Sequence, residues 1–342
     1  MRFEYYHPGL DNDPKLSVDG TVPNSVHFSH WEGNETPIEL KADTSTEIAL
    51  NLVASPQQSQ FTRGIELVTN NHFDTDGVLS VWTVLNGTRV LQFREALISA
   101  AEAGDFSELT SEAGVRASIT IQGSDQAGNE TAEGSPLGQF LNRGEPVDDA
   151  KAYELVLPEV ENVITNIDAY EHLWRDGWKQ VASAIESFEK GASVIEELPE
   201  VNTTLVTISP DIFGPSGFDP KRYGMPVIAI SHYARGGLFL IATPYESGWS
   251  YRFDYPYYSW AETVVRPKIE RRDLTLLLAR LNEIERNRKG RWQLDRSEMT
   301  SAVKFLDETK ALAASGLQPD EVAAILCSEQ LSKSALGEIV AT

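Results

Sequence analysis

Apolar and polar positions alternate along this chain in short blocks whose period identifies the elements. Ile65-Glu66-Leu67-Val68-Thr69 is a compact apolar run of the kind that forms a buried strand, and Val78 to Leu85 is apolar enough to open a helix. The polar stretch between them, His72-Phe73-Asp74-Thr75-Asp76-Gly77, therefore falls in a strand-to-helix turn. The opening residues read as rich in turns, and Ser45 to Leu52 predicts a helix with Thr44 or Ser45 as its cap and Glu47 in its first turn. Leu91 to Ala103 predicts another, ended by Gly104, and a long amphipathic helix is expected from about Asp168 to Lys190. After Pro199 the pattern shifts: Thr203 to Ile208, Pro226 to Ser231 and Leu238 to Thr243 read as short strands, and Trp249 to Tyr258 alternates like one more. Arg272 to Arg286 places Leu274, Leu277, Leu278 and Leu281 on one helical face, and Gly316 to Thr342 predicts peripheral helices with Asp320 and Glu321 in a first turn.

This order of elements predicts an α/β protein with a parallel sheet in its N-terminal part, residues 1–199, followed by a mixed α+β domain over 200–300 and peripheral helices over 301–342. Residues 123–149 are rich in Gly, Ser, Asp and Pro with few apolar groups and read as a long loop or lid.

Composition narrows the partners. The chain has 342 residues and a formal charge of −22, which repels a polyphosphate backbone and argues against nucleic acid as a ligand. No apolar stretch is long enough to span a bilayer, and Met1 to His7 lacks the apolar centre of a signal peptide, so a cytoplasmic protein with no membrane partner is expected. The single cysteine, Cys327, leaves any transition metal to histidine and carboxylate ligands.

Candidate chemistry concentrates in the turn at residue 72. On extended backbone His72, Asp74 and Asp76 share one side, because side chains alternate with a period of two, and their combined charge calls for a divalent cation. The same residues also suit a plain helix entry, with Asp74 as cap and Gly77 in the turn. Ser29-His30-Trp31-Glu32-Gly33-Asn34 offers His30 as a further ligand or a proton-transfer group, or as a core-sealing side chain. Asp168, His172 and Asp176 form a stripe at helical spacing, from which Asp168 is a further candidate ligand, although a solvated helix face has the same pattern. His232 and Arg235, in Ser231-His232-Tyr233-Ala234-Arg235-Gly236-Gly237, are candidates for proton transfer and for gripping an anion. Arg266 is a second anion-binding candidate in this acidic chain.

His72-Phe73-Asp74-Thr75-Asp76-Gly77-Val78-Leu79-Ser80 resembles the first motif of the DHH phosphoesterase superfamily, H-x-D-x-D-G-x-x-S, which lies at a strand end and supplies ligands to a pair of manganese ions. That resemblance implies metal ligation by His72, Asp74 and Asp76 in a DHH-like α/β fold. The chain contains no Asp-His-His and no glycine-rich GGGH-like segment near its C-terminus. Phe73 to Leu79 also looks like motif I of haloacid-dehalogenase-type phosphatases, which implies an aspartyl nucleophile at Asp74. At whole-chain level, Asp19-Gly20, the segment Phe28 to Pro37 and Asn70 to Gly77 resemble a family of uncharacterised bacterial and plant proteins. The expectation is a metal-dependent hydrolase of a small anionic substrate, a phosphoester, with Mn²⁺ favoured and Mg²⁺, Fe²⁺ or Zn²⁺ also compatible with the ligands. The dehalogenase-type phosphatase and a non-catalytic binding or interaction protein are the alternatives.

Overall fold

The computed structural model describes residues 1–123, 135–138, 148–219, 224–294 and 301–328. Most of the expected loop at 123–149 lies outside the described residues. The chain divides into two compact units. The first comprises the described residues up to 180 together with 260–268, and the second holds the rest of 181–328. No helix among the described residues is long and apolar enough to cross a membrane.

The first unit is built on the strands β1 (Arg2–Phe3), β2 (Lys15–Val18), β3 (Ser25–Phe28) and β4 (Leu67–Thr69), ordered β1-β4-β2-β3. Every pairing in this sheet is parallel, as expected for the N-terminal part. A parallel sheet lines up its carboxyl ends on one edge, and ligands of open α/β sheets bind outside that edge. The helices are α1 (Ser45–Ala54), α2 (Gln58–Phe61), α3 (Thr75–Asn86), α4 (Arg94–Asp105), α5 (Glu112–Gln122), α6 (Asp149–Val156), α7 (Val160–Thr165) and the start of α8 (Glu171–Glu189), whose residues from 181 onward belong to the second unit. Thr44 caps α1 by accepting the Glu47 N–H at 3.2 Å, and Asp74 caps α3 by accepting that of Gly77 at 2.7 Å. Their side-chain oxygens take up first-turn donors that the helix itself cannot satisfy. The α3 face is so apolar that Val78, Leu79 and Val81 are wholly buried, where α3 packs between α1 and α4.

The second unit contains β5 (Val194–Leu198), β6 (Thr203–Thr207), α9 (Val227–Tyr233), β7 (Phe239–Tyr245), β8 (Gly248–Asp254), α10 (Thr275–Ile284), β9 (Gly290–Leu294) and β10 (Ser301–Asp307). Its sheet, ordered β5-β6-β7-β8-β10-β9, is mixed: β6 and β7 run parallel and the other neighbours antiparallel. Alternation along the strands sends Leu205 and Leu240 to one core with α10, and Val206 and Ile241 to another with α9 and the end of α8.

Two expectations change in this unit. Pro226 to Ser231 is not a strand: residues 227–233 are helical, with Ala229 and Ile230 in the core. Its run Val-Ile-Ala-Ile is apolar on every side, so period alone could not separate strand from helix. The last segment changes in part: residues 319–328 are helical as expected, with Asp320 and Glu321 in the first turn, but they pack into the core and are not peripheral, and residues 329–342 lie outside the described residues. Residues 301–307 form β10, between β8 and β9, and Leu317, Val322 and Leu326 are core residues.

Candidate metal centre

Each carboxyl end of the central strands delivers a polar side chain to the same place. β2 ends at Val18 and is followed by Asp19, β3 by His30, and β4 by His72 and Asp74, while Asp76 sits in the first turn of α3 and Asp105 closes α4. Asp19, His30, Asp76 and Asp105 bring one ligand atom each to within 4.8 Å of one another, and so do Asp19, His72 and Asp74. Asp19 belongs to both groups. Its Oδ1 lies 3.6 Å from His30 Nε2 and its Oδ2 lies 2.8 Å from His72 Nε2. His30 Nε2 is also 3.2 Å from Asp105 and 3.8 Å from Asp76, and His72 Nε2 is 3.1 Å from Asp74.

The histidine tautomers follow from what lies behind the rings. His30 Nδ1 donates to the carbonyl of Asp43 at 2.6 Å, and His72 Nδ1 lies 3.1 Å from the side-chain oxygen of Asn71. An oxygen behind Nδ1 holds the proton there and leaves the Nε2 lone pair facing the carboxylates, the orientation a metal-binding imidazole requires. Burial sharpens the point. Among the described residues, neither oxygen of Asp19 nor His30 Nε2 has a well-aligned hydrogen bond, only the close approaches given above, although both side chains are fully buried. Buried polar atoms are ordinarily satisfied, and here the orphans all face one another.

Asp19 has a left-handed backbone, φ 67°, immediately after the end of β2. Asn70 holds this turn: its Oδ1 accepts the N–H of Gly20 at 3.1 Å and of Asn71 at 2.7 Å, and its Nδ2 donates to Tyr153 Oη at 2.9 Å. Asp76 accepts the N–H groups of Ser45 and Thr46, each at 2.7 Å, and so anchors the N-terminus of α1 to the centre. Gly77 lies under the same cluster. A Cβ there would press against Asn70 Nδ2 and come within 2.7 Å of Tyr153 Oη and 3.1 Å of Asp19. Gly77→Ala is therefore expected to cost about 1–3 kcal/mol, despite alanine's higher helix propensity, in an equilibrium urea melt. A variant as stable as the wild type would mean that this packing is looser than described.

Without a cation the cluster must hold protons instead. Burial opposes charge on His30, but the Asp105 hydrogen bond and the fields of Asp76, Asp105 and Asp19 together push it up to about 10. Burial likewise opposes charge on His72, and Asp19 and then Asp74 push it up to about 11. Desolvation, then the charge of Asp19, raises Asp76 to about 7, and desolvation with the charges of Asp74 and Asp76 carries Asp105 well above the carboxylate range. Asp19 moves the other way: burial opposes its ionisation, but His72 and then His30 hold it below the usual value.

The groups differ in access. The side chains of His72 and Asp74 are 27% and 30% exposed, whereas that of His30 is 0% exposed. Trp31 stands beside the open side, its ring 5.2 Å from that of His72.

Of the residues singled out by sequence, His30, His72, Asp74 and Asp76 come together, and His30 lies among the ligand-type groups instead of apart as a proton-transfer group. Asp168 does not join them: it is exposed in a short 3-10 turn, Ile167–Tyr170. His232 and Arg235 belong to the second unit, where Arg235 is exposed and bonds the carbonyls of Ser231 and Ala234. Arg266 lies in the first unit, with its guanidinium paired to Asp43, Glu102 and Glu108. Asp19 and Asp105 are the additions. Asp105 has no local motif, and Asp19 follows a strand whose first residue, Lys15, reads as polar.

No curated protein matches the chain. Three solved chains match, among them a pGpG-specific phosphodiesterase, PggH, from Vibrio cholerae, at 9% identity and a TM-score of 0.38, over 93% of this chain and 99% of that one. A likeness at that level assigns neither fold nor activity. One family model matches residues 2–336, and the chain therefore belongs to that family, described as a family of unknown function, DUF6687.

Proposed function

We propose that this protein is a metal-dependent hydrolase of a small anionic substrate, a phosphoester, working with two divalent ions. Asp19, His30, Asp76 and Asp105 would hold one ion and Asp19, His72 and Asp74 the other, with Asp19 shared. The observation that carries this reading is Asp19 itself, wholly buried, with no well-aligned hydrogen bond at either oxygen among the described residues, and offering one oxygen to each imidazole. Carboxylate oxygens mixed with imidazole nitrogens, and no thiolate, favour Mn²⁺. The resemblance of His72 to Ser80 to the first DHH motif supports the same reading, and Asp19, His30 and Asp105 supply groups of the kinds that the missing Asp-His-His would bring.

When bound, such ions offset charge on the phosphoryl oxygens and make a water acidic enough to attack at neutral pH. The chain's own part is to hold the Nδ1 proton of both histidines on Asp43 and Asn71, so that Nε2 is the nitrogen that gives up its proton and is aimed at the centre, and to fix Asp19 through Asn70. His72 and Asp74, on the more exposed side, are where substrate is received. In a chain of charge −22, neutralised carboxylates at that side let an anion approach.

The test is hydrolysis of an aryl phosphodiester by protein stripped with a chelator and then reloaded. Activity should vanish on stripping and return with Mn²⁺, and activity indifferent to both treatments would rule the reading out. Proton counting adds a second check. With His30 near 10 and His72 near 11, both rings are charged at pH 7.5 and must lose a proton to ligate. Calorimetry in buffers of different ionisation enthalpy should therefore register release of about two protons per chain from the histidines and more from Asp76 and Asp105, with affinity rising as pH rises. Proton uptake, or none exchanged, would contradict it.

A further inference from the structure

Residues 260–268 belong to the first unit, although the chain reaches them from Ser259 and leaves at Ile269, both residues of the second. Their contacts concentrate on one half of the metal centre. The Glu262 N–H donates to the carbonyl of His30 at 2.7 Å, and the Trp260 ring meets the His30 ring edge to face, with centroids 4.9 Å apart. Asp43, whose carbonyl orients His30 Nδ1, has its carboxylate tied to the same segment by the N–H groups of Val264, Val265 and Arg266 and by the Arg266 guanidinium. Arg266 then reaches the end of α4, bonding Glu102 at 2.7 Å and Glu108 at 3.0 Å on either side of Asp105. Its guanidinium lies 4.8 Å from the ring centroid of Phe106, the residue after Asp105.

These contacts form one mechanical unit. Asp43 orients the His30 ring, Arg266 ties Asp43 to both flanks of Asp105, and Trp260 closes over His30. Without the Arg266 cation, Asp43, Glu102 and Glu108 would be left as neighbouring carboxylates with nothing between them, and they would push the His30 loop and the α4 terminus apart. The hydrogen bonds of His72 and Asp74 come from elsewhere, at Asn71 and the Gly77 N–H, and the segment approaches that side through Trp260 against Trp31, with ring centroids 6.1 Å apart.

We infer that residues 260–268 act as a strap that forms the His30–Asp105 half of the centre, with Trp260 and Arg266 as its positioning residues, so that this ion site exists only while the strap is seated. The inference rests on the proposed dinuclear reading and adds that the two ions depend on different supports.

The experiment is Mn²⁺ titration of the full chain, followed by metal analysis and electron paramagnetic resonance. Wild type should hold two ions per chain and give an exchange-coupled signal. In Trp260→Leu and Arg266→Gln, the second ion should bind about 10–100-fold more weakly, the scale typical of outer-shell partners, with the first within about twofold of wild type. The spectrum should change to that of an isolated Mn²⁺. Trp260→Phe, which keeps an aromatic edge against His30, should restore the coupled signal, a rescue that general destabilisation would not produce. If Arg266→Gln does not fold, the two Trp260 variants decide. Folded variants that bind both ions as wild type does, or that lose both ions equally, would overturn the strap while leaving the dinuclear reading intact. A wild type that binds no Mn²⁺ would remove both.

Discussion

Replacing Asp19 by asparagine should abolish binding of both ions and lower phosphoester hydrolysis by about a thousandfold or more, a loss of roughly 4 kcal/mol of transition-state stabilisation. The size of the effect follows from sharing: Asp19 gives Oδ1 to the His30 group and Oδ2 to the His72 group, so one substitution removes a ligand from each. Asparagine is the informative replacement. It tolerates the left-handed backbone at φ 67° and keeps the volume, so the fold should survive while the charge is lost. Metal analysis should find no bound Mn²⁺, and the rise in melting temperature that Mn²⁺ confers on wild type should disappear. An Asp19→Asn protein that still binds two ions would show that the two groups do not share this carboxylate.

The second large effect is expected far from the chemistry. Lys15 is 1% exposed at the start of β2, and its ammonium, with three N–H donors, lies within hydrogen-bond distance of four backbone carbonyls that share them: Leu10 at 2.9 Å, Asn24 at 3.2 Å, Asp11 at 3.3 Å and Asp13 at 3.4 Å. These carbonyls belong to the turns that enter β2 and β3, and the cation replaces the water they would otherwise need. Lys15→Met fills the space but leaves them without a donor, and is expected to cost about 4 kcal/mol. For a protein of this size that is a fall of roughly 6 °C in melting temperature, measurable by calorimetry. A shift under about 1 kcal/mol would mean that water serves these carbonyls as well as the ammonium does.

Lys15 also explains why half of the centre was hidden in the sequence. A lysine at the head of Lys-Leu-Ser-Val disguises a fully buried strand as part of a turn-rich opening, and with the strand unseen, Asp19-Gly20 at its end enters only the family resemblance, without marking Asp19 as a ligand. The strand before His72 was legible because Leu67-Val68-Thr69 is plainly apolar, and the α3 cap was legible because Asp74 precedes an apolar run. Asp74 turned out to serve two purposes that local reading treated as alternatives: it caps α3 and it faces His72. Asp105 had no such cue. It closes a helix after Gly104, and only the packing of α4 against α3 brings it to His30. Parallel β-sheets place strand ends side by side irrespective of sequence separation, so ligands from β2, β3 and β4 converge without any local motif.

The positive residues misled for a related reason. In a chain with 29 basic against 51 acidic residues, an arginine flanked by glycines or prolines invites assignment to an anionic ligand. Arg266 is instead spent on carboxylates of its own unit, where burial opposes its charge and the Glu108 and Glu102 pairings more than offset that cost. Internal ion pairing and substrate binding ask for the same residue type, and only the neighbours tell them apart.

Anomalous diffraction from crystals soaked in Mn²⁺ tests the central claim most directly. Two peaks are expected, one on each side of the Asp19 carboxylate, the first against His30, Asp76 and Asp105 and the second against His72 and Asp74. No peak at Asp19, with Mn²⁺ bound elsewhere or not at all, would contradict the account.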